Sequence, residues 1–354
     1  MQKVKNISLL YLLLYASVVY AQESTIPYPG SSRSSSASSN YSDYDILSFT
    51  DQEIYPSPKM KLAMASQPIF VNSERPLPDG TSWRKYSDID YLRLSSMIGV
   101  MATANLVAYM YQRQVWYTEE TSSFHAMDFT YDWKKYQQMD KFGHFMDAYF
   151  TSDLSGKIYR WSGISGDNSV WYGALTGWIW MLEIEISDAF MADWGFSWGD
   201  MLANTAGSAF YVLQQFNYDA LGGIHPKFSW HKSDAWKEMR YTKDPKALIE
   251  DYEGMTFWLT VNPHHYFPES WKKTYPEWLA PLGLAFGVSA KDISWAPFGG
   301  YKEYFIGLDV DLRKLPIWGD LGLTKFIVSE VNFLRLPLPV IRFSSEGTWF
   351  GFYF

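Results

Sequence analysis

The sequence contains no cysteine. This excludes a disulfide framework and a lipid-modified Cys, so an oxidising compartment would leave no covalent mark here. Positive charge is also in short supply, with 30 Lys and Arg against 38 Asp and Glu and a net charge of −8. A chain of this balance has no electrostatic footprint for nucleic acid. Histidine is sparse, at 6 residues. Neither Glu-x-x-His nor His-Glu-x-x-His occurs, so two common metal-site signatures are missing.

What is present in quantity is aromatic: 19% of the chain, with 17 Trp and 26 Tyr. Amphipathic rings serve protein cores, but they also favour interfaces with protein, carbohydrate or lipid headgroups. The N-terminus carries Lys3 and Lys5, an apolar run of 13 residues from Ile7 to Val19, and the small residues Val19 and Ala21 at the positions a signal peptidase inspects. The run is short of the ~20 residues a membrane span needs, so residues 1–21 read as a cleaved signal. Removing Lys3 and Lys5 with it lowers the net charge from −8 to −10.

Residues 22–87 form a Ser-rich tether and lead-in, containing "PGSSRSSSASSNYSDYD". Such a composition buries too little apolar area to offset its ordering entropy. From Asp88 the character changes. The segment "YLRLSSMIGVMATANLVAYMYQ" has no charge between Arg93 and Arg113, and as a helix it would run about 28 Å. Two readings fit it: a membrane span, or a buried bundle helix, since Ser95, Ser96, Thr103 and Asn105 interrupt the apolar run. Further helices are expected from Trp133 to Tyr159, from Ser169 to Ser187, and from Ser197 onward. Gly173 and Gly177, and likewise Ala203 and Gly207, lie four apart and form small-residue stripes along which a neighbouring backbone can approach closely.

After Gly222 the period changes to two. Phe257, Leu259 and Val261 alternate with Thr256, Trp258 and Thr260. Leu282, Leu284, Phe286 and Val288 alternate with small residues, and Tyr304, Ile306, Leu308 and Val310 oppose Asp309, Asp311 and Arg313. These segments read as strands with one buried face. The chain ends "TWFGFYF", similar to the last strand of outer-membrane barrels, with Phe350, Phe352 and Phe354 on one face. About six strand candidates follow residue 255, fewer than the 8 of the smallest membrane barrels, so the main expectation is a strand-rich annex packed on the helices, with a closed barrel as the alternative. The fold class is therefore α+β: about four helices over residues 88–218, a connector over 219–254, and a β-rich region over 255–354.

Polar residues that interrupt the apolar helices fall into pairs. Asp140 and His144 share one helix face, Glu185 and Asp188 a second, and Asp200 and Asn204 a third. Converging in a bundle, they would line one polar pocket, which His125 and Asp128, in the segment before the second helix, could join. His144, Asp140, Glu185 and Asp200 offer mixed nitrogen and oxygen donors for a divalent metal ion such as zinc, manganese or iron. Without metal, His144 would serve as general base, with Lys141 and a helix start receiving a substrate phosphate. Bland readings compete. Ser197 and Asp200 fit a capping box, Asn204 fits an interhelical bridge, a lone histidine fits a satisfied core site, and Glu183 and Asp193 fit solvated or headgroup-facing charges.

The run "DKFGHFMDAY", then "GALTGWIWMLEIEISDAF", then "WGFSWGDMLANTAGSAF" resembles the YfiM-like family of predicted periplasmic lipoproteins, a domain-of-unknown-function family, over roughly Leu94–Gln215. It is more distantly similar to VanZ-like membrane proteins. The flanking "VWYTEETSSFHAMDFTYDW", "HPKFSWH" and "EDYEGMTFWLTVN" resemble longer relatives of Bacteroidota envelopes. The resemblance implies motif positions at Asp140, Lys141, Gly143, His144, Tyr149, Glu185, Asp188, Phe196, Ser197, Asp200, Asn204 and Gly207. Two departures stand out: Ala189 replaces the usual Gly, and the lipoprotein cysteine is missing.

The expectation is thus a secreted protein, periplasmic or outer-membrane-associated, with a membrane or envelope component as partner and no nucleic acid. The favoured role is binding or structural. The competing role is a metal- or His-dependent hydrolase or transferase acting on a lipid-linked, phosphate or glycan substrate through His144, Asp140, Glu185, Asp188, Asp200 and Asn204.

Overall fold

The computed structural model describes residues 75–353, apart from 116, 118–119, 240–249 and 294–297. The expected signal peptide and the Ser-rich stretch up to residue 74 lie outside the described residues. The rest is mixed helix and sheet, with a six-stranded antiparallel sheet in the C-terminal part.

A short hairpin, β1 (Arg75–Pro76) and β2 (Ser82–Trp83), leads in. It delivers the Trp83 ring into a core with Tyr149, Val170, Ala174 and Tyr211. Five helices follow: α1 (Tyr91–Val115), α2 (Phe129–Lys134), α3 (Met139–Trp161), α4 (Gly166–Asp188) and α5 (Trp198–Phe216).

Helix α3 packs between α4 and α5, and the small-residue stripes set how closely. A Cβ on Gly177 would sit 2.8 Å from the Ser152 backbone nitrogen, and one on Gly207 would sit 2.2 Å from the Phe145 carbonyl oxygen. No larger residue fits at this spacing, so backbone meets backbone there.

The helix expected from Trp133 is broken. Tyr136, Gln137 and Gln138 adopt φ of 52°, 54° and 61°, separating α2 from α3. Left-handed geometry costs non-glycine residues roughly 1–2 kcal/mol each. Side-chain bonds hold the break: Gln138 Nε2 donates to the Trp133 carbonyl, and Gln137 Nε2 donates to Gly299. The consequence is that α2 folds back and sets Asp132 beside Lys141.

Helix α1 is not the buried bundle helix of the second reading above. It touches α3 near Leu94, which packs on Tyr159 and Ile164, and elsewhere it is largely bare. Its Asn105 donates to Glu183 Oε2 at 2.9 Å. Glu183, read from sequence as a solvated charge, is 6% exposed. The polar interruption in α1 is the tie that holds it to α4.

The sheet is a meander of β3 (Ile224–Trp230), β4 (Met255–Val261), β5 (Leu282–Lys291), β6 (Tyr301–Val310), β7 (Leu338–Ser344) and β8 (Gly347–Tyr353), in that spatial order. Helix α6 (Gly322–Val331) interrupts it before β7. The sheet docks on α3 where Phe257 and Ala290 meet Met139 and Met146.

The expected burial of the alternating apolar face is reversed over most of the sheet. Leu259, Leu284, Phe286, Ile306, Leu308, Ile341 and Phe343 are exposed, while His225, Lys227, Thr256, Thr260, Glu303 and Asp309 are buried. The sheet curls so that its polar face turns inward. There Lys227 pairs with Asp309 at 2.9 Å, Arg342 pairs with Glu303 at 3.1 Å, and the Arg335 guanidinium lies 3.9 Å over the Trp258 ring. Ion pairs and aromatic stacking satisfy the charges, which is the condition for burying them.

Strands β3 and β8 are not hydrogen-bonded to each other, so strand pairing does not close a barrel among the described residues. The segment after α6 spans the seam. Phe228 N–H donates to the Phe333 carbonyl, Arg335 N–H donates to the Phe228 carbonyl, and Arg335 Nη1 donates to the Tyr353 carbonyl.

Candidate functional site

Helix geometry places Asp140, Lys141 and His144 in the first turns of α3. Asp200 and Asn204 project from the start of α5, and Glu185 from the last turn of α4. Packing of the three helices brings them together. His144 Nδ1 lies 3.1 Å from Asn204 Oδ1 and 3.6 Å from Glu185 Oε1, and its Nε2 lies 3.9 Å from Asp200 Oδ2.

Lys141 occupies the other half of the cluster. Its ammonium contacts Asp132, Asp140 Oδ2 at 3.0 Å and Asp200 Oδ1 at 3.1 Å. All four side chains are about nine-tenths buried or more. The sequence reading gave Lys141 a free role toward a substrate phosphate. Instead the ammonium donates to Asp132 and Asp140 and is ion-paired with Asp200.

Ser197 organises the carboxylates. Its hydroxyl caps α5 by accepting from the Asp200 amide at 2.9 Å and donates to Asp132 Oδ2 at 2.6 Å. Its own amide donates to Glu185 Oε2 at 3.0 Å. The expected capping box is therefore half made. Glu185 takes the amide that Asp200 would have taken, and the Asp200 carboxylate is left to face Lys141 and His144.

Of the cluster's oxygens without a hydrogen-bond partner, Asp200 Oδ1 is ion-paired with Lys141 at 3.1 Å, which leaves Glu185 Oε1. Glu185 is 1% exposed, and its Oε1 is buried with no hydrogen-bond partner. Leaving such an atom unsatisfied normally costs about 1–3 kcal/mol, more when it is charged. The oxygen faces the His144 ring.

The electrostatics follow from four buried carboxylates, Asp132, Asp140, Glu185 and Asp200, set against Lys141 and His144. Burial pushes Glu185 up to about 8, with His144 opposing and Asp200 adding to the rise. Burial likewise lifts Asp140, reinforced by Asp200 and opposed by Lys141. For Asp200 the penalty of burial is outweighed by His144 and Lys141, and its carboxyl lies below the ordinary range. Burial disfavours the imidazolium of His144, yet Asp200, Glu185 and Asp140 together raise it to about 9. The cluster holds more negative charge than its own cations neutralise, and it resolves the excess by taking up protons or a cation.

Two groups of three residues have donor atoms within 4.8 Å of one another: His144, Glu185 and Asp200, and Asp132, Asp140 and Asp200. The second surrounds the Lys141 ammonium, which already supplies the positive charge. The first has no such occupant. Ligands about 2.1 Å from a tetrahedral ion stand about 3.4 Å apart; Asp200 Oδ2 lies 3.9 Å from Nε2, whereas the 3.6 Å separation of Glu185 Oε1 is to the other ring nitrogen, Nδ1. One ion takes one ring nitrogen. With Nδ1–H donating to Asn204, Nε2 is the nitrogen left to ligate, and an ion would have to displace the proton that the surrounding carboxylates hold there.

Asp188 stands apart, lifted by burial to about 6, next to Tyr117. His125 and Asp128 do not join. The His125 ring faces Ser122 Oγ and the Trp194 carbonyl, and Asp128 caps α2 by accepting from the Tyr131 amide. Sequence reasoning missed Asp132 and the double role of Ser197. Asp132 lies one residue before Trp133, where the expected helix began, and only the break before α3 turns it inward.

Residues 115–216 match a family described as "Predicted periplasmic lipoprotein (DUF2279)". The match covers α2 to α5 and stops short of the sheet. It accords with a periplasmic or outer-membrane-associated location and with an envelope protein of uncharacterised role. No curated protein and no solved structure matches the chain.

Proposed function

We propose that this envelope protein binds a divalent cation through His144, Glu185 and Asp200, with Asn204 orienting the imidazole and Ser197 holding Glu185. The observation that carries the reading is the buried Glu185 Oε1, without a hydrogen-bond partner and 3.6 Å from His144. A cation there would satisfy that oxygen and offset the surplus of carboxylates. Mixed imidazole and carboxylate donors suit zinc, manganese or iron. The sequence resemblance to YfiM-like and, more distantly, VanZ-like proteins supports the choice of residues, since it falls on the same three helices.

Lys141 and Asp140 belong to the frame in this reading. Asp140 holds the Lys141 ammonium, which fixes the carboxylate of Asp200 on one side so that its second oxygen faces His144. The His144 side chain is 20% exposed, so a small ligand can reach it. A second reading, hydrolysis or transfer on a lipid-linked, phosphate or glycan substrate, would use the same residues, with His144 as the accessible base.

The test is titration of chelator-treated full-length protein with Zn²⁺ and Mn²⁺ by calorimetry, beside His144→Ala, Glu185→Gln and Asp200→Asn. One ion per chain is expected, with affinity reduced at least ~10-fold in each variant. Absence of binding by the unaltered protein at millimolar metal would refute the proposal.

A further inference from the structure

The sheet is inside out for a protein in water. One row of paired residues runs Leu259, Phe286, Ile306, Ile341 and Phe350 across five strands. Leu284 with Leu308, and Tyr304 with Phe343, flank it in register. All are at least 40% exposed, and Phe350 and Phe352 reach 72%. The face carries a single charge, Lys302, at the end covered by α3, where its ammonium meets Gln138. Every other ionic group of the six strands lies on the buried side or at a strand end.

The inversion continues across the seam. Arg335 turns inward over Trp258, while its neighbours Leu334 and Leu336 are exposed at 50% and 42%. On an antiparallel sheet with one face in water, the alternation runs the other way, apolar inward and polar outward. Apolar-out with polar-in is the pattern of strands in contact with hydrocarbon.

A second surface has the same character. Helix α1 is uncharged between Arg93 and Arg113, long and apolar enough to cross a membrane, and only 11% buried over its most apolar stretch. Val100, Leu106, Val107 and Met110 are at least half exposed.

Dimensions decide how the sheet meets lipid. Five strands at about 4.8 Å spacing make a patch about 19 Å wide, and Tyr304 to Leu308 runs about 13 Å along the strand. That is less than half of a hydrocarbon core of about 30 Å. An unpaired strand edge is also disfavoured through the full depth of a bilayer, and β8 has one. We propose that the outer face of β4–β8 inserts into the acyl-chain region of one leaflet of a lipid bilayer, leaving the helical cluster outside the hydrocarbon.

The native chain lacks cysteine, so single spin labels can be placed without altering other sites. Ile306→Cys, Phe286→Cys and Phe352→Cys would be labelled in the full chain, with Asp320→Cys as the solvent-exposed control. The variants would then be reconstituted into phosphatidylethanolamine–phosphatidylglycerol vesicles. Collision with oxygen and with a water-soluble nickel chelate would be measured by electron paramagnetic resonance. The expected result is oxygen-accessible, nickel-protected labels at positions 306, 286 and 352, at depths of less than one leaflet, with the reverse at position 320. Nickel access at position 306 in vesicles would overturn the proposal. So would protection from both reagents with dipolar broadening, because the face would then be covered by a second copy of the chain.

Discussion

Replacing Lys141 with Met keeps the unbranched stem of the side chain and removes its terminal ammonium. In the native protein the ammonium lies against Asp132, Asp140 and Asp200, with side-chain exposures of 7% for Lys141 and 2%, 11% and 10% for the acids. These groups are too buried for solvent to replace the lost cation. Removing one partner of a buried pair typically costs 3–5 kcal/mol, because it strands the remaining charge. Three acids share this cation, so the upper part of that range applies, a large fraction of the 5–15 kcal/mol by which domains are stable. Urea unfolding of the two proteins in EDTA should show a loss of about 4–5 kcal/mol. The donor oxygens of the three acids lie within 4.8 Å of one another, so Lys141→Met creates an all-oxygen cation site. Millimolar Mg²⁺ or Mn²⁺ should recover part of the loss in the variant. A loss below ~1 kcal/mol, or one indifferent to divalent cations, would refute this account, since it would mean the three acids are protonated rather than paired.

Two further outcomes bear on how the helices are held. Burial opposes ionisation of Asp79, but Arg160 at 2.9 Å, then Lys157 and Thr81, lower its pKa below the ordinary 3.8. A depressed folded-state pKa contributes stability that is complete above the unfolded value of 3.8 and is lost as the pH falls through the lower folded value. Acid unfolding followed by circular dichroism should therefore show a weaker pH dependence below pH 3.8 in Asp79→Asn, and an unchanged acid limb would count against the pair. Gly177→Ala places a methyl 2.8 Å from the Ser152 backbone nitrogen and 2.3 Å from its hydroxyl. Forcing α3 and α4 apart should cost about 1–3 kcal/mol by chemical denaturation, and a neutral result would show that the contact is loose.

Much of the helical region is readable from the chain, because the constraints there are local. A spacing of three or four puts Asp140 with His144 and Asp200 with Asn204 on shared faces whatever else the protein does. Ser197 before an apolar run marks the start of α5, and the structure has it as the cap. The break at Tyr136–Gln138 was not readable. No Gly or Pro signals it, and it is held by Gln138 within the turn and by Gln137 and Lys302 reaching to and from distant chain. Asp132 entered the cluster only through that break. Glu183 was misread because its donor, Asn105, lies 78 positions away on another helix.

The same division holds for the sheet. Alternation along β4, β5 and β6 determined that these segments are strands and which side chains share a face, because successive residues of a strand point to opposite sides. It did not determine which face is buried. That is a property of curvature and of the surrounding medium: once the sheet curls with Trp258, Phe305 and Tyr353 packed inside, the buried side is the charged one. In the cluster, the three polar pairs on three helices follow from residue spacing alone, because a pair on one helix is fixed by backbone geometry. That Lys141 fills one side of the pocket and Glu185 keeps an unsatisfied oxygen on the other follows from contact between helices, which depends on how closely Gly173, Gly177 and Gly207 let them approach.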